Sequence, residues 1–192
     1  MMKTYQKILS LVVVTVTSGL LFSAAVYGDD DDERKSVFSW WKESKLDVAP
    51  VNNLAYREEC GSCHFAYQPG LLPQASWREM MAGLEDHFGD NAELSAGVNQ
   101  EILDYLLANA ADNSNYKRSK RIMGSLRPGE VPLRIIDTVY FKHKHDEIPA
   151  SVVVDNKELG SFSKCAACHT RAEAGSYEED EIKIPGIGRW ED

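Results

Sequence analysis

Two pentapeptides carry the chemistry of this chain: Cys60-Gly61-Ser62-Cys63-His64 and Cys165-Ala166-Ala167-Cys168-His169. All four cysteines lie in them. C-x-x-C-H is the attachment sequence of a c-type haem. Two thiols three positions apart stand about one helical turn from each other. At that spacing they reach the two vinyl groups on one edge of a porphyrin and form thioethers. The histidine that follows is held under the ring, where an imidazole nitrogen binds iron. Cys60, Cys63, Cys165 and Cys168 are therefore candidate attachment residues for two covalently bound haem c groups. His64 and His169 are the candidate iron ligands on the attachment side.

Other uses of C-x-x-C fit less well. A structural zinc site takes two such pairs, but these pairs are about a hundred residues apart and zinc does not require a histidine after each. A thioredoxin-like dithiol needs one pair on a βαβ background, and the strand pattern is missing. A disulfide within each pair would close a tiny loop with little gain.

Three histidines remain for the opposite face of each iron: His87, His143 and His145. His87 follows an apolar stripe and precedes a Phe-Gly break, which makes it the candidate for the first haem. Met80 and Met81 are its rivals; as a ligand, methionine raises the potential, but core packing is their simpler role. For the second haem, helical spacing over 138–148 puts Phe141, His145 and Ile148 on one face, at offsets 0, 4 and 7. His143 falls with Val139 and Asp146 on a more polar strip. His145 is preferred and His143 is the alternative. Left unligated, His143 is exposed or titrates near the haem.

The elements that must hold these residues read as mainly helical. Asn53 is placed to cap a short helix carrying Tyr56, Cys60 and His64. Pro69, Gly70 and Pro73 break the chain into a loop. Ser76-Trp77-Arg78-Glu79 has the form of a capping box. Trp77, Met80, Met81, Leu84 and Phe88 then recur at offsets 0, 3, 4, 7 and 11, one apolar helix face ending near His87. Asn99 is placed to cap a further helix with Ile102, Leu103, Leu106 and Ala110 inward. Residues 112–130 are polar and read as a linker or a peripheral helix. Residues 139–148 have a helical pattern, and 151–155 form a short β-branched run. The tail, Ile184-Pro185-Gly186-Ile187-Gly188-Arg189-Trp190, is apolar with turn residues and suits a cover over one haem face. The expected division is a signal peptide at 1–28, an acidic and polar spacer at 29–50, an N-terminal haem domain at 51–111, a linker at 112–130 and a C-terminal haem domain at 131–192. Domains of about 60 residues cannot build a large core, so each is expected to depend on its haem.

Lys3 and Lys7 precede an apolar core over residues 8–21, and Ser23, Ala24, Ala25 and Gly28 are small. This is a secretory leader with cleavage near residue 25 or 28. The alternative is an uncleaved anchor over 8–27. The run at 29–33 is a solvated acidic spacer, and Trp40 and Trp41 follow in a polar stretch. The chain holds 21 basic and 30 acidic residues. Without Lys3 and Lys7, 19 basic residues remain, a charge near −11. That excess argues against nucleic acid as a partner.

Glu59 to His64, then Pro69-Gly70-Leu71-Leu72-Pro73, Ser76-Trp77 and His87-Phe88-Gly89 resemble the small dihaem cytochromes c of the DHC family. Lys144-His145-Asp146-Glu147-Ile148, Cys165 to His169 and Ile184-Pro185-Gly186 are similar to that family's second half. The likeness spans about 54–187. It implies a class I cytochrome c-like N-terminal haem domain and a small, irregular C-terminal one. It implies periplasmic, low-spin, low-potential bis-histidine haems, with His64 and His87 on one iron and His145 and His169 on the other. The expected function is electron transfer between redox proteins. Candidate partners are a small high-spin monohaem cytochrome or a membrane quinol-linked cytochrome, with no small-molecule substrate. The alternative is a small haem enzyme, such as a peroxidase or reductase, or a gas-binding protein, and either needs one open iron.

Overall fold

A computed structural model describes residues 46–190. The expectations for the leader, the acidic spacer and Trp40 and Trp41 lie outside the described residues. Among the described residues the fold is mainly helical, with α1 Leu54–Cys60, α2 Gln74–Ala82, α3 Ala96–Asn109, α4 Lys117–Ser125, α5 Val139–Lys144, α6 Ala150–Val154 and α7 Cys165–Cys168. Short 3-10 turns join them. Two-residue strands, β1 Lys183–Ile184 and β2 Gly188–Arg189, pair antiparallel.

The first core lies where α2 and α3 pack against α1 and the Pro69–Leu71 turn. Tyr56, Trp77, Met81, Ile102 and Leu106 are buried there. Asn53 caps α1, its side chain accepting from the backbone N–H of Tyr56 at 2.7 Å. The start of α2 differs from the capping-box expectation. Pro73 is the N-cap and Ser76 lies inside the helix, buried. The cap comes from far along the chain: Asp112 accepts from the N–H of Gln74 at 2.6 Å, placing a carboxylate at a helix N-terminus. Ser95, not Asn99, is the N-cap of α3, and Asn99 instead donates to the Met81 carbonyl at 3.1 Å. The apolar face of α2 also stops early. The helix ends at Ala82, Leu84 is buried on a 3-10 turn, and Phe88 is exposed beneath the Arg134 guanidinium.

Residues 112–130 contain α4, a packed helix with Ser119 and Ile122 buried. Ile122 joins Val48, Leu71, Ala172 and Tyr177 in a second core that draws on both ends of the described chain. Hydrogen bonds reinforce this joint. Tyr67 Oη donates to the Ser163 carbonyl at 2.6 Å, and Tyr177 Oη to Gln68 Oε1 at 2.6 Å. Gln68 Nε2 in turn donates to the Ala172 carbonyl. Asp47 and Val48 donate their N–H groups to the Gly175 carbonyl at 2.9 and 3.2 Å.

The third core is small: Val153, Leu159 and Ile184. The β-branched run expected at 151–155 is mostly helical, in α6, with Val153 buried and Val154 exposed. Branched residues favour strands only where a neighbouring strand pairs with them, and among the described residues the paired strands are β1 and β2 alone. The helical pattern expected over 139–148 is shorter than read, since α5 ends at Lys144 with His145 as its C-cap.

Candidate haem sites

The structure brings the histidines into two pairs. The rings of His64 and His87 are 6.1 Å apart between centroids, with their planes at 23°. The rings of His145 and His169 are also 6.1 Å apart, with planes at 80°. Metal–imidazole bonds run about 2.0–2.1 Å. With about 1.1 Å from each bonding nitrogen to its ring centre, two imidazoles on opposite sides of one metal stand about 6 Å apart. Both pairs therefore have the spacing of two histidines that could hold one metal between them.

Local structure orients the rings. His64 Nδ1 lies 2.8 Å from the Phe65 carbonyl, and His145 Nδ1 lies 2.9 Å from the Phe141 carbonyl. A carbonyl oxygen only accepts, so in each ring Nδ1 carries the proton and Nε2 keeps a lone pair for a metal. His145 is also stacked on Phe141, at 3.9 Å and 15°, and meets the edge of Phe162. His87 is fixed by a tight turn. It exchanges backbone hydrogen bonds with Asp90, at 2.7 and 3.3 Å, across Phe88 and Gly89. Both central residues have positive φ, 60° and 101°. Glycine takes that region freely, whereas Phe88 occupies it under strain. His169 follows α7 and bridges to Ile182, beside β1. Its Nδ1 is buried with no hydrogen-bond partner among the described residues.

The two sites differ in cover. His64 and Cys63 are exposed. His145, His169, Cys165 and Cys168 instead line a cavity with about 1170 Å³ of space free of protein atoms, part of it open to solvent. Its walls are largely apolar, including Tyr140, Phe141, Phe162 and Ile184. Trp190 of the tail also lines it. Burial, with His145 next, pushes His169 down to about 4. Burial likewise lowers His145, against the Phe141 bond that raises it. Burial and then His64 lower His87. These three rings are thus neutral at pH 7 and offer lone pairs. Burial raises the thiols of Cys60 and Cys165 to about 11.

His143 stands apart, exposed, with Nδ1 3.6 Å from an Asp146 carboxylate oxygen. Met81 is buried in the first core and Met80 packs beside it. No disulfide joins the four cysteines. Among the described residues, no group of three or more His, Cys, Asp or Glu is placed to hold a bare metal ion. Each pair supplies two nitrogens, which suits a metal whose other four ligands belong to a macrocycle. The donor set, the thiols before His64 and His169 and the apolar cavity fit haem c.

Comparison with known proteins agrees. The family model of dihaem cytochrome c matches residues 56–177. The chain belongs to the dihaem cytochrome c family, electron-transfer proteins with two haem c groups. Among solved structures it is similar to the diheme cytochrome c of Shewanella baltica OS155, with 44% identity and a TM-score of 0.61. That match covers 72% of this chain and 98% of the other. A diheme cytochrome c from Rhodobacter sphaeroides is 40% identical with a TM-score of 0.59, over 68% of this chain and 99% of its own. No curated protein matches the sequence.

Proposed function

We propose that this chain is a periplasmic electron carrier whose two irons are each ligated by two histidines. His64 and His87 hold the first, and His145 and His169 the second. Residues 51–111 and 131–192 each carry one haem, joined through 112–130. A haem supplies reversible one-electron chemistry at its iron. The chain's own residues fix what kind. Two imidazoles would hold each iron, which would then have no position left for a substrate. Neither supplies the thioether that raises potential, so both centres are of low potential. Cys60, Cys63, Cys165 and Cys168 would hold the two haems through thioether links. The leader and the need to attach haem covalently both fit export, with cleavage near residue 25 or 28. Among the described residues no helix is long and apolar enough to cross a membrane. The partners are other redox proteins. The acidic excess steers a basic surface, with rates falling as salt rises.

The observation that carries this reading is the 6.1 Å separation in both histidine pairs. A carbon monoxide difference spectrum of the reduced, haem-loaded protein tests it. No spectral change is expected, because six-coordinate iron has no free position. A carbon monoxide complex at either haem overturns bis-histidine ligation there and brings a small haem enzyme or gas-binding protein to the front.

A further inference from the structure

One charged group is built into the wall of the second site. Arg118, on α4, is four-fifths buried and forms an ion pair with Asp47 at 3.1 Å. Its Nη1 donates to Tyr140 Oη and its Nη2 to the Tyr177 carbonyl, each at 3.1 Å. The guanidinium also lies over the Tyr177 ring, 5.1 Å from its centroid. Tyr177 in turn lies 5.1 Å from the His169 ring. Two such steps put the cation within about 10 Å of that ligand. Arg118 lines the cavity and Asp47 does not, so the ion pair has its positive end toward the site. The other charged groups in the wall are Lys144, Lys164 and Glu179. Lys144 is paired with Glu179 at 3.2 Å, and Lys164 donates to the Glu158 carbonyl. The Arg118 Nε–H is buried and has no acceptor among the described residues, a state that proteins rarely leave unexplained. Arginine keeps its charge at any working pH.

We propose that Arg118 is the electrostatic determinant of the second haem's potential. Its fixed positive charge disfavours the more positive, oxidised iron at His145 and His169 and so raises that centre's potential, leaving the first haem untouched. The inference rests on the assignment of His145 and His169 to one iron. Arg118 touches the tyrosines and Asp47, not the iron, and acts as a tuning residue.

An optical redox titration of the haem-loaded full chain tests this. At about 10 Å and an effective dielectric near 20, a unit charge shifts an equilibrium on the order of tenfold. R118M is therefore expected to lower one of the two waves. At the original midpoint the reduced-to-oxidised ratio of that haem falls about tenfold, a 59 mV shift for one electron. The other wave stays within about threefold. R118K keeps the charge and holds the wave near its original position. D47N removes the opposing charge and moves the same wave upward. Unmoved waves in R118M, equal movement of both waves, or an R118K as shifted as R118M each overturn the proposal. Should R118M fail to load haem, D47N decides alone: an upward shift of one wave upholds the proposal, and no shift or a downward one refutes it. A carbon monoxide complex at the second haem with the R118M shift intact would defeat bis-histidine ligation and leave the role of Arg118 standing.

Discussion

Removing the Tyr177 hydroxyl tests whether the joint between the two ends of the fold is held by buried polar contacts. Tyr177 is 8% exposed and Gln68 fully buried, and their side chains meet at 2.6 Å. Y177F keeps the ring, so its packing beside Val48, Leu71, Ile122 and Ala172 survives. What is lost is one hydrogen bond, and Gln68 Oε1 is left without its donor. A buried acceptor stranded in this way costs about 1–3 kcal/mol. Q68M strands Tyr177 Oη, while the Ala172 carbonyl keeps its bond from the Gly175 N–H at 2.9 Å, so the cost is again about 1–3 kcal/mol. In the double variant Tyr177 Oη and Gln68 Oε1 are both gone, and the Ala172 carbonyl still accepts from the Gly175 N–H, so no partner is stranded. The two changes are therefore coupled, with an interaction of about 0.5–3 kcal/mol. Urea unfolding of the haem-loaded protein, followed by the Soret band and by tryptophan fluorescence, measures the cycle. In thermal scans each kcal/mol appears as about 2–4 °C. A Y177F variant within about 0.5 kcal/mol of the parent, or strictly additive changes, would refute the reasoning.

Three further outcomes follow from the same contacts. G175A destabilises by at least about 2 kcal/mol, because Gly175 has φ 83° and an added Cβ would collide with the Val48 carbonyl; an unfolding midpoint equal to the parent's would contradict the docking of residues 47–48 on Gly175. H145A gives a reduced protein that binds carbon monoxide at one haem, whereas H143A keeps the parent spectrum, because His143 faces solvent and His145 faces His169; the reverse pattern would reassign the ligand. Stability falls as pH rises above 10, because burial raises Tyr56, Tyr67 (to about 12) and Tyr177. The folded state keeps protons there that the unfolded chain releases near 10, so the phenols' contribution is complete below 10 and lost through the folded values. Equal urea midpoints at pH 9 and pH 11 would show that these phenols are not buried as described.

The chemistry of the chain was legible because it is local. Attachment needs two thiols and an imidazole within five residues, and that pattern survives any fold. The contact of His145 with Phe141 was legible too, since a ring four positions on along a helical turn meets it. Helix ends were less so. Ser76 and Glu79 satisfy a capping-box pattern, yet Pro73 fixes where α2 begins and Asp112 supplies the cap from 38 residues away. The spacing of the stripe through Trp77 carries it on to Phe88, but Gly83 ends the helix and Phe88, in the His87–Asp90 turn, is exposed.

Nothing in the spacing announced the role of residues 112–130. A linker and a packed helix look alike when the buried positions are few and one of them is serine. Ser119 and Ile122 are the buried positions of α4, and the arginine between Lys117 and Ser119 reads as one more surface charge. Its importance appears only when Asp47, Tyr140 and Tyr177 converge on it from separations of 71, 22 and 59 residues. The same holds for Gln68, a polar residue in a loop by sequence and a fully buried bridge 109 residues from Tyr177 in space. Short-range spacing thus defines what each site binds. Long-range polar contacts, which carry no periodic signal, define where the two sites lie and what field each one feels.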